Sequence, residues 1–333
     1  MTDAPPVVEV TDLHVEYASR GRANKKSPVR AVDGVSFDIA RGEILALVGE
    51  SGCGKSTIAQ AIMRLVTPTS GQILSSGVDL AKERGRRLAG SRKAFQMIFQ
   101  DPFGSLDPRQ TVFDTVVEPL IIHGVGADAA DRRARVMEAL DFAHLRPPER
   151  LADRYPHELS GGQRQRVAIA SAVILRPDLV VADEPVSMLD VSARAGILSL
   201  MVDLRDQLDI SYLFITHDLS VAWVIADRIA VVYLGRIIEI GPSTQVVSSP
   251  AHPYTRALLD VTAEEEHVVL EGETPSASAI PKGCRFHPRC PLYRALGEPE
   301  RCRVSDPALH LVEHPDGAGP AHQSACHCTE EMS

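Results

Sequence analysis

Apolar and polar residues alternate along positions 7–17 and 35–39, the period of a strand with one buried face. The segment between them, 18–28, is small, polar and basic, and predicts a flexible hairpin loop. A short apolar run at 43–48 is followed at once by a glycine-rich turn and a helical pattern over 55–66. Strand, glycine-rich loop and helix make the opening unit of a parallel α/β sheet. Further β-rich runs fall at 95–99, 179–182, 212–216 and 229–234, with helical pattern separating the later ones. That alternation predicts a sheet buried on both faces. Residues 106–172 are mostly helical, with breaks at Pro147-Pro148 and Tyr155-Pro156, and read as an insertion into the sheet. After Gly241-Pro242 the alternation stops, and a tail containing Pro, His and Cys runs to Ser333.

The chain has 333 residues, a length that suits one large domain and a smaller one. No stretch approaches the roughly 20 uninterrupted apolar residues needed to cross a bilayer. Residues 1–10 lack the charged-then-apolar layout of a signal peptide. The expectation is a cytoplasmic protein whose membrane role, if any, comes through a partner. A formal charge of −9 argues against a nucleic-acid coat. Basic stretches at 20–30 and 82–93 read as solvated loops or faces. Five of the six cysteines lie beyond residue 280, a clustering that in a cytosolic chain favours metal or cluster ligation over disulfides.

The turn Gly49-Glu50-Ser51-Gly52-Cys53-Gly54-Lys55-Ser56 fits the phosphate-loop pattern G-x-x-x-x-G-K-[ST]. Its glycines let backbone N–H groups converge on phosphate oxygens, and the helix that follows points its positive end at the same anion. Lys55 is expected to reach the β and γ phosphates of a nucleotide, and Ser56 to ligate Mg²⁺. Cys53 reads as a small residue tolerated in the loop, and Thr57 extends the nucleotide-binding set. The strand at 179–182 ends in Asp183-Glu184, where the aspartate is expected to hold Mg²⁺, directly or through water, and the glutamate to orient or deprotonate the attacking water as general base. His217 follows the strand at 212–216, at a carboxyl edge of the sheet, with a γ-phosphate hydrogen bond as its role.

Leu159-Ser160-Gly161-Gly162-Gln163 opens a helical run, with Ser160 as N-cap and Gln163 completing a capping box. The two glycines leave the helix end bare for an anion. LSGGQ between a phosphate loop and an acid-ended strand resembles the ATP-binding subunits of ABC transporters. The resemblance covers about 250 residues and implies a nucleotide-binding domain over 1–250. Its expected fold is an ABC-type P-loop ATPase core, α/β, mostly parallel with antiparallel N-terminal strands, and an inserted helical subdomain at about 104–172. It implies that Tyr17 stacks on adenine, and that Gln100, in Phe99-Gln100-Asp101-Pro102, senses Mg²⁺ and the transporter interface. Ser160 and Gly162, flanked by Gly161 and Gln163, are implied to clamp ATP bound to an opposite subunit. Ser187-Met188-Leu189-Asp190 matches the D-loop, with Met188 where alanine is more usual, and His217 matches the switch histidine. Two such subunits close head to tail over two ATP molecules in this family, so this chain needs a second ATPase subunit, a sister chain more than an identical copy.

His252-Pro253-Tyr254-Thr255-Arg256-Ala257-Leu258-Leu259 and the cysteine-rich tail resemble the C-terminal extension of oligopeptide and dipeptide importer ATPases, here 251–333. The implied function is ATP-driven peptide import at the cytoplasmic face of the membrane, with two transmembrane permease subunits and an extracytoplasmic binding protein as partners. Nickel and some sugar importers share the extension. A soluble ABC ATPase of translation or DNA maintenance, the rival of another class, usually carries tandem ATPase halves or a long coiled coil, and this chain has neither. Cys284, Cys290, Cys302 and Cys326 are spaced C-x5-C-x11-C-x23-C, with Cys328 extra. Their thiols suit a [4Fe–4S] cluster, which the resemblance implies for some members, or Zn²⁺; reduced unliganded thiols are the third state. A redox-sensing tail would require low-pKa cysteines. The neighbouring His287, His322 and His327 read as surface histidines.

Overall fold

The computed structural model describes residues 5–18, 28–260, 272–313 and 321–329. Most of the predicted loop at 18–28 and of the basic stretch at 20–30 lies outside the described residues. In chain order the strands are β1 (Val8–Tyr17), β2 (Val29–Ile39), β3 (Ile44–Val48), β4 (Ser70–Ser75), β5 (Val78–Asp79), β6 (Phe95–Ile98), β7 (Leu179–Asp183), β8 (Ser211–Thr216), β9 (Arg228–Tyr233), β10 (Arg236–Pro242), β11 (His310–Leu311) and β12 (Gln323–Ser324). The helices are α1 (Lys55–Ile62), α2 (Gly85–Ala94), α3 (Pro102–Ser105), α4 (Val112–Ile122), α5 (Ala129–Phe142), α6 (Pro148–Ala152), α7 (Gly161–Val173), α8 (Val191–Leu208), α9 (Leu219–Ile225), α10 (Ser243–Ser248), α11 (Pro253–Asp260), α12 (Pro291–Ala295) and α13 (Glu300–Val304). They fall into two compact units.

The first unit contains residues 82–215 with two short N-terminal pieces. Its strands β6, β7 and β8 pair in parallel, with β7 in the middle. Every residue of β7 and β8 is buried, which is why their sequences are apolar throughout rather than alternating. Helices α4 to α7 occupy the block that the sequence marks as helical. The predicted breaks are real: Pro148 opens α6, and Pro156 opens a 3-10 turn at Pro156–Glu158. The basic stretch at 82–93 falls largely on the solvated helix α2.

The second unit holds the N-terminal strands, residues 44–81 and everything from Thr216 onward. One sheet runs in the order β2-β1-β4-β5, with β1 antiparallel to β4 and β4 to β5. Elsewhere in the unit β3 lies parallel to β9, and β9, β10, β12 and β11 continue as antiparallel neighbours. The β9–β10 turn is the two residues Leu234 and Gly235, at φ 43° and 78°. Two positive φ values define the I′ turn that matches strand twist. The predicted helix at 55–66 stops earlier, at Ile62, because Met63 caps it and Arg64 takes φ 53°.

Residues 272–313 and 321–329 are held in this unit by polar and aromatic contacts. Buried Arg285 pairs with buried Asp33 of β2 and donates to Leu234 O at 2.6 Å. Burial works against the Asp33 carboxylate, but the Arg285 hydrogen bond and the charges of Arg285, Arg236 and Arg30 hold it below the usual range. A carboxyl depressed in the folded state stabilises above its unfolded value near 3.9, and that contribution is lost as pH falls through the folded value. Asp33→Asn is therefore expected to cost about 2 kcal/mol at pH 7, since Arg285 loses its nearest carboxylate while keeping Leu234 O and the more distant Asp306. The difference from wild type should shrink below pH 4 in denaturant melts.

Candidate active site

In the second unit, fully buried β3 delivers Gly49 to the turn. A Cβ on Gly49 would stand 2.3 Å from Val232 O, and one on Gly54 would stand 2.3 Å from Ala31 O, so neither position admits a side chain. Gly54 caps α1 at φ 113°, and Gly235 N–H ties the β9–β10 turn to Cys53 O at 2.8 Å. Lys55 is buried and its ammonium folds back over the loop, donating to Gly49 O at 2.6 Å and Glu50 O at 3.0 Å. Cys53 is packed inside the loop with its sulfur 3.7 Å from that ammonium, and burial pushes its thiol up. Ser56 is exposed and Thr57 half-buried at the start of α1. Tyr17 ends β1 with its ring exposed. His217 is exposed directly after β8, and Asp218 beside it caps α9 by accepting Ser220 N–H at 2.9 Å.

In the first unit, Asp183 closes β7 and is buried. Glu184 takes φ 46°, an uncommon backbone state for a glutamate, held by its N–H donating to Ile215 O at 2.9 Å and by Ser187 Oγ donating to its carbonyl at 3.0 Å. The positive φ breaks the strand line directly after Asp183. Gln100 Nε2 donates to Glu184 Oε2 at 3.0 Å, so the structure joins two of the three predicted catalytic residues.

The predicted capping box is present: Gln163 N–H donates to Ser160 Oγ at 3.3 Å and Ser160 N–H to Gln163 Oε1 at 3.0 Å. Gly161 and Gly162 could each accept a methyl group, whose nearest neighbours would be Leu189 at 3.7 Å and Ala193 at 3.5 Å. Packing among the described residues therefore does not demand glycine there. Asp190 caps α8 through Ala193 N–H at 2.9 Å, and the apolar residues beside it, Met188 and Val191, are 55% and 81% exposed.

The tail cysteines converge. Cys284, Cys290, Cys302, Cys326 and Cys328 all line one small cavity, together with His252, His287 and His327 and without a carboxylate. Tyr293 N–H donates to the Cys290 sulfur and Cys328 N–H to the Cys326 sulfur, both at 3.4 Å. Burial, reinforced by neighbouring thiols, pushes Cys284, Cys302 and Cys326 up to about 12. Raised thiols of this kind run against the low pKa that a sensing tail would require. Among the described residues no three ligating side chains are arranged around a single metal ion. A polynuclear cluster, whose thiolates bind different iron atoms, does not need its ligands to meet at one point. The donor set fits such a cluster in chemistry. His322 departs from expectation: it is buried, with Nε2 2.8 Å from a buried Glu239 carboxylate, 83 positions away in the chain.

Comparison with known proteins fits this geometry. The family model described as "ABC transporter" matches residues 32–187, and "Oligopeptide/dipeptide transporter, C-terminal region" matches 238–295. The chain is 46% identical over 319 residues to the dipeptide transport ATP-binding protein DppF of Haemophilus influenzae, covering 94% of each. It is 45% identical over 332 residues to the oligopeptide transport ATP-binding protein AppF of Bacillus subtilis, covering 96% of this chain and 97% of that one. Among solved structures it resembles the ATP-binding cassette MJ0796, a dimer in a post-hydrolysis state bound to ADP and Pi, with TM-score 0.63 and 31% identity over 71% of this chain and 98% of that one. The fold and the loop thus define an ABC-type ATPase. The chain belongs to the ATP-binding subunits of ABC transporters, in the oligopeptide/dipeptide family.

Proposed function

We propose that this chain hydrolyses ATP to power import of peptides, as the peripheral ATPase of a membrane complex. The observation that carries the reading is the co-occurrence, in one chain, of an ABC cassette and the peptide-importer C-terminal region. No described helix is long and apolar enough to cross a membrane, so transport itself falls to partners. Those partners are two transmembrane permease subunits and, outside the membrane, a substrate-binding protein. Residues 1–250 form the nucleotide-binding domain, 104–172 its helical subdomain and 251–333 the extension; the chain works at the cytoplasmic face.

The roles of individual residues follow their motifs. Tyr17 stacks on adenine, and the N–H groups of 49–57 with Lys55 hold phosphates. Mg²⁺ neutralises phosphate charge when bound, with Ser56, Asp183 and Gln100 as its holders. Glu184 accepts the proton of the attacking water, Gln100 orients it, and His217 donates to the γ-phosphate. Ser160, Gly161, Gly162, Gln163 and Asp190 face the ATP of a second ATPase subunit, a sister chain. The tolerance of Gly161 and Gly162 for a methyl within this chain supports that reading, since a close approach from outside remains the reason to keep them bare. The exposed Met188 and Val191 are suited to the same seam.

Cys284, Cys290, Cys302 and Cys326 hold an iron–sulfur cluster in this reading, and their raised thiols must release protons when they bind it. The full chain purified anaerobically is expected to carry iron and visible absorbance, both lost in Cys290→Ser; absence of both from wild type would remove the cluster. For the function as a whole, a tagged pull-down from detergent-solubilised membranes should recover two multi-span subunits. Recovery of ribosomes or DNA-repair factors instead would point to a soluble ATPase.

A further inference from the structure

Glu50 occupies the second position of the phosphate loop, where the motif sets no residue type, yet its side chain and both its backbone groups are engaged. Its carboxylate is gripped from two sides by the C-terminal extension. Arg289 donates to it bidentately, Nη1 to Oε2 at 3.0 Å and Nη2 to Oε1 at 3.1 Å, and Thr274 Oγ1 donates to Oε2 as well. Its N–H donates to the hydroxyl of Tyr254 on α11 at 2.9 Å. Its carbonyl accepts from Lys55. All of these residues lie in the same compact unit.

The Gly49–Glu50 peptide is the point where these bonds meet. In a trans peptide the N–H and C=O point to opposite sides. Tyr254 fixes the N–H side, which aims Gly49 O at the Lys55 ammonium 2.6 Å away. The hydroxyl of Tyr254 thereby sets where the phosphate-binding lysine is held. The Arg289 side chain is 8% exposed and that of Glu50 27%, so the bidentate pair is partly shielded and its geometry is better than that of a typical surface ion pair.

The part of the extension that grips Glu50 is itself rigid. Arg289 N–H donates to Phe286 O at 2.9 Å, and the Phe286 ring packs against Tyr233 of β9 and Tyr254, each 5.4 Å between centroids. Cys290 follows Arg289 and caps α12. One short turn, residues 286–290, therefore carries an aromatic anchor, the arginine and a cavity-lining thiol.

We propose that Arg289, with Tyr254 and Thr274, is a positioning residue for the phosphate loop: the extension holds Glu50 so that nucleotide affinity depends on how the turn at 286–290 is seated. The proposal rests on residues 49–56 being the phosphate loop. Its alternative is that the same bonds only glue the tail in place.

Binding of a non-hydrolysable ATP analogue with Mg²⁺ to the full chain separates the two, with thermal unfolding of the nucleotide-free chain as control. Arg289→Ala and Tyr254→Phe are each expected to weaken binding about tenfold, as loss of a charge-assisted or well-placed hydrogen bond does. Arg289→Lys should recover part of the loss. Glu50→Gln should match Arg289→Ala, and the double variant should be no worse than either single one. If Tyr254→Phe and Arg289→Ala are less stable but bind within twofold of wild type, the residues are glue and the proposal fails. Additive losses in the double variant would overturn it too. Failure of wild type to bind would sink the phosphate-loop reading first, and the proposal with it.

Discussion

Glu184→Gln is expected to lower ATP turnover about 1,000-fold while nucleotide binding stays within a few-fold of wild type. General-base catalysis contributes on the order of 10²–10⁴ in rate, and an amide cannot take the proton. The substitution is nearly isosteric. Its amide oxygen can still accept from Gln100 Nε2, which lies 3.0 Å from Oε2 in the native pair. The φ of 46° at this position is set by backbone bonds to Ile215 and Ser187 rather than by the carboxylate, so the local turn should survive. Single-turnover phosphate release measures the rate, and analogue binding confirms the intact fold. Turnover within tenfold of wild type would mean that Glu184 is not the base.

Lys55→Ala is expected to act one step earlier, weakening ATP binding by about 100-fold or more. A buried ammonium on phosphate oxygens makes charge-assisted hydrogen bonds, and removing two of them costs roughly 3 kcal/mol. The native ammonium is already desolvated and placed against Gly49 O and Glu50 O, so little ordering is left to be done on binding. Equilibrium titration with the Mg²⁺-bound analogue reads the loss. An affinity within threefold of wild type would remove Lys55 from the nucleotide site. The two substitutions therefore separate binding from chemistry.

The features legible in the sequence are those written in short stretches. The phosphate loop, the Ser160–Gln163 capping box and the acid pair ending β7 each fit within about eight consecutive residues, where spacing alone implies geometry. Strands β3, β7 and β8 are readable because burial on both faces makes them apolar throughout. Strand β4 is not: Ser70-Gly71-Gln72-Ile73-Leu74-Ser75 has little apolar pattern, and pairing with β1 makes it a strand. β10 lies across a two-residue turn whose Leu-Gly sequence is a weak hairpin signal. Its Glu239 is fully buried because His322 and two backbone N–H groups, of Ala251 and His252, surround it. That partnership also explains why His322 is not at the surface. Arg289 and Glu50 are 239 positions apart, and no local pattern marks either as a partner of the other. The position of Glu50 inside the phosphate loop is the one available hint. Convergence of the cysteines can be anticipated from their clustering, whereas the direction of their pKa shifts follows from burial that spacing does not reveal.

The central claim is that ATP chemistry on this chain drives peptide uptake, and uptake of a labelled dipeptide tests it most directly. Cells whose only copy is the Glu184→Gln chain, expressed at the wild-type level, should lose ATP-dependent uptake while cells carrying wild type retain it. Dipeptide uptake unchanged by the substitution, or a loss confined to nickel with dipeptide uptake intact, would contradict the account.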